Sequence, residues 1–204
     1  MPLILSKNSP VDEQGESIPK IDKTNLRDCL RHDDIAVRCA AVRYAGELRE
    51  TELLALSLQA EQDHSLREMI LTTIVRHGGI EGVRPLLDLL RSDDTSLRNA
   101  VIEILSGMGE AVVPYIQVLL SDADSDVRIF AINIIFSLYS PRVPDIALQV
   151  ISSDPHVNVC AAAVDVLAEV GTPDMADALR DVAKRFPDQP FLSFAVRTAL
   201  KRIG

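Results

Sequence analysis

The 204-residue chain has room for one substantial core or for a row of smaller ones, and with 47% hydrophobic residues and no tryptophan it must fill them with aliphatic side chains. Its formal charge of −9 works against a nonspecific grip on a nucleic-acid backbone or an anionic membrane surface. Cys29, Cys39 and Cys160 lack CxxC spacing, which argues against a disulfide scaffold or zinc ribbon and fits a reducing, cytoplasmic setting.

Residues 1–22 follow no helical period: Pro10, Gly15 and Pro19 interrupt them, and MPLILSK is too short for a signal sequence. They read as a flexible leader whose PLIL head is free to dock on this protein or a partner. Residues 23–204 read as one all-α repeat domain. After a shortened helix over 24–30, two kinds of helix alternate. Inner helices are expected at 34–48, 63–77, 94–108, 125–139, 156–170 and 190–202, and outer helices at 50–60, 80–90, 111–120, 143–152 and 173–184. No apolar run reaches membrane-spanning length, so no membrane insertion is expected.

The register comes from an apolar residue followed by arginine. Arg38, Arg67, Arg98 and Arg128 are 29, 31 and 30 residues apart, a solenoid period. Val159-Cys160 and Leu192-Ser193 continue it, giving about five to six units. Within the third unit Leu97, Ala100, Val101, Ile104, Leu105 and Met108 form a wide helical stripe, and Val127, Ala131, Ile134, Ile135 and Leu138 repeat it in the fourth. A helix with such a stripe cannot bury it alone. Pro85, Pro114 and Pro144 mark outer-helix starts, where a missing amide proton has no intrahelical acceptor.

Asp34, Asp63, Asp94 and Asp124 each stand four residues before Arg38, Arg67, Arg98 and Arg128. At a helix start the carboxylate can accept from free backbone amides, while the arginine bridges to its own aspartate or to an aspartate or carbonyl of the adjoining repeat. This is a structural ladder. Acids that recur with the architecture share one environment, whereas acid–base catalysis needs two carboxylates tuned apart. DADSDVR at 122–128 lacks the central glycine and distal glutamate of a calcium loop. His32, His64, His77 and His156 form no HExxH pattern, and no phosphate-binding or nucleophile-elbow motif is present. No metal, cofactor or catalytic residue is assigned. In the fifth unit His156 and Cys160 replace the Asp and Arg; they make either a lowered-pKa thiolate pair or a unit where packing takes over.

In a two-layer array the inner helices line a concave binding face. Arg43, Thr72, Glu103, Asn133 and Asp165 form one row on it, and Glu47, Arg76, Gly107, Ser137 and Glu169 the next. The mix, with a modest acidic excess, suits a polar or basic protein or peptide segment and no nucleic acid. In the fourth unit Ile129 stands outside the stripe as a partner-facing candidate, with Phe130 and Phe136 as fillers between layers.

The Asp-x-x-[Val/Leu]-Arg starts at Asp34–Arg38, Asp63–Arg67, Asp94–Arg98 and Asp124–Arg128, followed by small aliphatic residues, resemble the HEAT-repeat superfamily in its short PBS-lyase type. The resemblance spans about 24–204 and implies a right-handed α-α superhelix serving as a protein-interaction scaffold. Some relatives attach bilin chromophores, others hydroxylate a modified lysine at a diiron centre, and others excise damaged bases. The diiron branch needs His-Glu pairs that are absent here, and the base-excising branch needs a basic groove. Bilin or tetrapyrrole handling stays open as the alternative to a non-catalytic scaffold, with Cys160 among its candidate residues.

Overall fold

The computed structural model describes residues 18–138 and 140–204; most of the leader, including PLIL, lies outside them. Among the described residues there are twelve α-helices and no strand, so the all-α expectation holds. They fall into two compact units, one ending at Leu89 and one running from Leu90 to Gly204. No described helix is long and apolar enough to cross a membrane.

The first unit holds α1 (Leu26–Cys29), α2 (Ile35–Glu47), α3 (Thr51–Leu58), α4 (His64–Gly78) and α5 (Ile80–Leu87). Asn25 and Asp22 tie its start together: Asp22 accepts from the Thr24 amide at 2.8 Å and Asn25 donates to the Lys20 carbonyl at 3.0 Å. Helices α2 and α4 pack side by side as one layer and α3 and α5 as the other. Val37, Leu54, Leu58, Leu66, Ile70, Ile74 and Leu86 are fully buried between them. The second unit repeats the plan with α6 (Thr95–Gly107), α7 (Val113–Leu120), α8 (Ser125–Phe136), α9 (Val143–Ser153), α10 (Val157–Val170), α11 (Ala176–Arg185) and α12 (Pro190–Ile203). Here α6, α8, α10 and α12 pack in succession as the inner layer, and α9 lies against α11 in the outer one. The fourth-unit stripe is buried throughout, whereas Ala100, Ile104 and Met108 of the third are only half-buried.

The aspartates start the inner helices as capping chemistry requires. Asp34 accepts from the Ala36 amide at 2.7 Å, Asp63 from Leu66 at 2.9 Å, Asp94 from Leu97 at 3.1 Å and Asp124 from Asp126 at 2.9 Å. Pro114 and Pro144 occupy the first turns of α7 and α9. Pro85 does not: Gly79, with φ of 50°, lets α5 begin at Ile80, and Pro85 falls inside it. Its missing amide shortens the helix, which passes into a 3-10 turn at Asp88–Arg91.

Small residues set how closely inner helices approach. Gly46 is buried on α2, and a Cβ placed there would lie 2.5 Å from the Thr73 methyl of α4. Gly46→Ala is expected to lower unfolding stability by about 1–3 kcal/mol through overpacking, against a few tenths for alanine at exposed Gly107. Urea unfolding followed by circular dichroism checks this.

Candidate functional site

The residue two places before the cap of each of the first five inner helices organises the junction between outer and inner helices. These residues are His32, Glu61, Ser92, Asp122 and Asp154. Every one has an acceptor side chain, and every one uses it on the amide two residues on. Asp34 donates to His32 Nδ1 at 3.1 Å, Asp63 to Glu61 Oε1 at 2.8 Å, and Asp94 to Ser92 Oγ at 3.2 Å. Asp124 donates to Asp122 Oδ1 at 3.0 Å and His156 to Asp154 Oδ1 at 2.8 Å. This local turn ends the connecting loop and aims the next amides up the helix.

The backbone carbonyl of the same junction residue then receives a guanidinium. Arg38 donates to His32 at 2.8 Å, Arg67 to Glu61 at 2.6 Å, Arg98 to Ser92 at 2.6 Å and Arg128 to Asp122 at 2.8 Å. Each arginine therefore clamps a carbonyl six residues earlier, on the loop that its own helix follows. Arg38 and Arg128 reach further, to the next junction. Arg38 Nε and Nη2 meet the two Glu61 carboxylate oxygens at 2.9 and 3.3 Å, and Arg128 meets both Asp154 oxygens at 2.8 and 3.2 Å. These forks join one repeat to the next.

Glu61, Arg128 and Asp154 are each only 8% exposed. Burial alone would push the Glu61 carboxyl up, but the amides of Asp63 and Gln62 and the Arg38 guanidinium outweigh it and hold the group below the usual carboxylate range. Asp154 likewise raises the affinity of Arg128 for its proton against the effect of burial.

Two junctions are filled differently. In the third unit Arg98 lies over the Phe130 ring, 5.4 Å from its centroid, and Asp122 pairs instead with Arg91. Phe130 thus supports the ladder. In the fifth unit Cys160 has the arginine's place, and its thiol donates to the Asp154 carbonyl at 3.4 Å. Arg185, from the outer helix α11, supplies the missing guanidinium: it donates to the same Asp154 carbonyl and, at 2.7 Å, to that of Ile151. Burial pushes the Cys160 thiol up, opposed by Arg185, and the sulfur is fully buried. The lowered-pKa thiolate option is not what this pocket makes. His156 caps α10 without a side-chain hydrogen bond.

The inner-face residues are brought together locally. In the first unit Arg43, Glu47, Thr72 and Arg76 are exposed and line one open groove of about 610 Å³ with Ser65, Glu68, Met69, Thr73 and His77. In the second, Glu103, Asn133, Ser137, Asp165 and Glu169 are exposed, while Ile129 is half-buried. Ser137 and Glu169 border a second open groove of about 700 Å³, whose walls include Leu138, Pro144 and Val170. Phe136 also lines it at 49% exposure, rather than filling a gap between layers, because it lies on the side of α8 opposite Val127, Ala131 and Ile134.

Residues 112–201 match the sequence model of HEAT repeats. The match covers less than half of the chain and lies within the second unit. A solved structure described as the complex of CpcE and CpcF of phycocyanin lyase from Nostoc sp. PCC7120 is similar at 15% identity, covering 98% of this chain and 100% of that one, with a TM-score of 0.34. A likeness at that level carries no inference about activity. No curated protein matches the chain. The matched stretch contains both the Arg128–Asp154 fork and the Arg185 substitution.

Sequence reasoning missed Glu61, Asp154 and Arg185. The signal for the first two was present, an acceptor side chain two residues before the caps of α2, α4, α6, α8 and α10. Arg185 left none, since it comes from a different helix.

Removing Arg185 takes a donor from the Ile151 carbonyl and leaves the Asp154 carbonyl with the weak Cys160 thiol alone, so Arg185→Ala is expected to destabilise the protein by about 1–3 kcal/mol in urea unfolding. Arg180→Ala, which breaks an exposed pair with Asp177 on the same helix, should change stability by less than about 1 kcal/mol. The lowered Glu61 pKa means that the unfolded chain binds more protons in the window between the two values. Glu61's stabilisation is therefore complete above the usual carboxylate range and is lost as pH falls through its folded value. The stability gap between wild type and Glu61→Gln should narrow as pH is taken from neutral towards 3 (roughly a unit below the free carboxyl's value).

Proposed function

We propose that the protein is a non-catalytic, cytoplasmic interaction scaffold that binds a polar or basic segment of another protein along the exposed side of its inner-layer helices. The observation that carries this reading is the groove on α2 and α4. It is open, holds both signs of charge in Arg43, Arg76, Glu47 and Glu68, and has Met69 as an apolar floor. Such a surface offers charge registration and an adaptable hydrophobic contact. Glu103 and Asp165 give the second unit's inner side an acidic row suited to the same class of partner.

The polar groups best placed for chemistry are committed elsewhere. The ladder arginines and junction carboxylates hold loops and neighbouring helices, and the Cys160 thiol is buried in that same network. HEAT repeats build extended binding surfaces of this kind from side chains that stacking leaves free.

Affinity capture with wild type, with Glu47→Arg plus Glu68→Arg in the groove, and with Glu52→Arg on the outer layer tests the assignment. A partner retained by wild type and by the outer-layer variant, and weakened about tenfold or more by the groove variant, is the expected result. Stoichiometric binding of an added tetrapyrrole, or a partner indifferent to the groove charges, would contradict it.

A further inference from the structure

Among the described residues, α12 is the one helix that carries charge without a carboxylate: Arg197, Lys201 and Arg202 have no acid beside them on PFLSFAVRTALKRI. In a chain of net charge −9 this is a local reversal of sign. Helical spacing divides α12 in two. Leu192, Val196 and Ala199 are buried against the second unit, while Phe191, Phe194, Thr198 and Lys201 fall on the opposite side, with Arg197 and Arg202 at its edges. Phe194 is 66% exposed and Phe191 46%. The chain has only five phenylalanines and no tryptophan, so it places two of its few large aromatics side by side in water.

The macrodipole explains cations in the last turn of a helix, hence Lys201 and Arg202. It explains neither Arg197, which lies earlier, nor the two rings. Arg202 already pairs with Glu169, and both side chains stay half exposed; Arg197 and Lys201 are exposed and enter no ion pair among the described residues. The face therefore presents an aromatic half followed by a cationic half with unused charge.

We propose that this side of α12 docks an acidic amphipathic segment of a partner protein. Apolar side chains of that segment seat on Phe191 and Phe194, and its carboxylates meet Lys201 and Arg197. Charge complementarity selects the occupant: the otherwise acidic chain repels such a segment, and α12 attracts it. Aromatic anchors next to a cationic row are the usual elements of groove recognition of an amphipathic helix. The surface is separate from the α2–α4 groove and takes the opposite charge, so this inference does not rest on the reading given above.

The test uses the full chain and a fluorescein-labelled amphipathic peptide of Leu, Glu and Asp, with a Leu and Lys peptide of the same pattern as counterpart, followed by fluorescence anisotropy. Saturable binding of the acidic peptide is expected, about tenfold or more tighter than the lysine peptide. Phe194→Glu and Lys201→Glu should each weaken it about tenfold at unchanged thermal midpoint, and Glu47→Arg in the other groove should leave it unaltered. Phe194→Ser replaces Phe194→Glu if the latter does not fold. Equal affinity for both peptides, no saturable binding below about 1 mM, or indifference to Lys201→Glu would overturn the proposal. So would a marked gain in affinity on removal of residues 1–17, which would make the leader the occupant. A concentration-dependent dimer abolished by Phe194→Glu would assign the face to a second copy instead.

Discussion

The structure depends on one recurring constraint: the loop entering each of α2, α4, α6, α8 and α10 must satisfy its carbonyls while turning sharply, and a guanidinium from outside the loop does this. Five junction residues accept a backbone amide through their side chains, and all five offer the carbonyl to an arginine. The amide bond shapes the turn. The guanidinium holds it against the following helix. Because the clamp recurs through five successive repeats, stability is built up from similar local terms and nearest-neighbour forks rather than from one central core.

The exceptions show that the carbonyl's demand, rather than the arginine's position, is what the fold retains. Where Cys160 interrupts the series, the thiol is too weak a donor to satisfy the Asp154 carbonyl alone, and Arg185 arrives from α11. Where Ser92 has no charge to offer, its carbonyl still receives Arg98, whose guanidinium rests on Phe130. A buried carbonyl without a donor forfeits free energy whichever helix the donor comes from. With these groups committed to the interior, the exposed inner-layer side chains are acidic and mixed on α2 to α10, while α12 exposes cations and two phenylalanines.

Much of this was legible in the sequence. The caps at Asp34, Asp63, Asp94 and Asp124 and the apolar stripes located the inner helices to within a few residues, because both signals are local and periodic. Glu61 and Asp154 were harder to see, since the fork partner lies 23 and 26 residues beyond its arginine and three other junctions use His, Ser or a differently paired Asp. Arg185 was invisible to periodicity for a stronger reason: its role is set by where α11 ends in space. Pro85 and Phe136 misled in the same way. One was displaced by the positive φ of Gly79, the other by the side of α8 on which Phe136 falls. The inner-face rows were placed by register alone, and register gives exposure without giving affinity.

The Arg128–Asp154 fork is the most buried link between repeats in the second unit, and its coupling energy is the most direct measure of the whole arrangement. A double-mutant cycle with Arg128→Met and Asp154→Asn, the latter keeping an acceptor for the His156 amide, isolates it in urea unfolding. The account predicts a coupling of about 1.5 kcal/mol or more between the two sites. Losses that simply add, within about 0.5 kcal/mol, would contradict it and return the stability of the array to apolar packing alone.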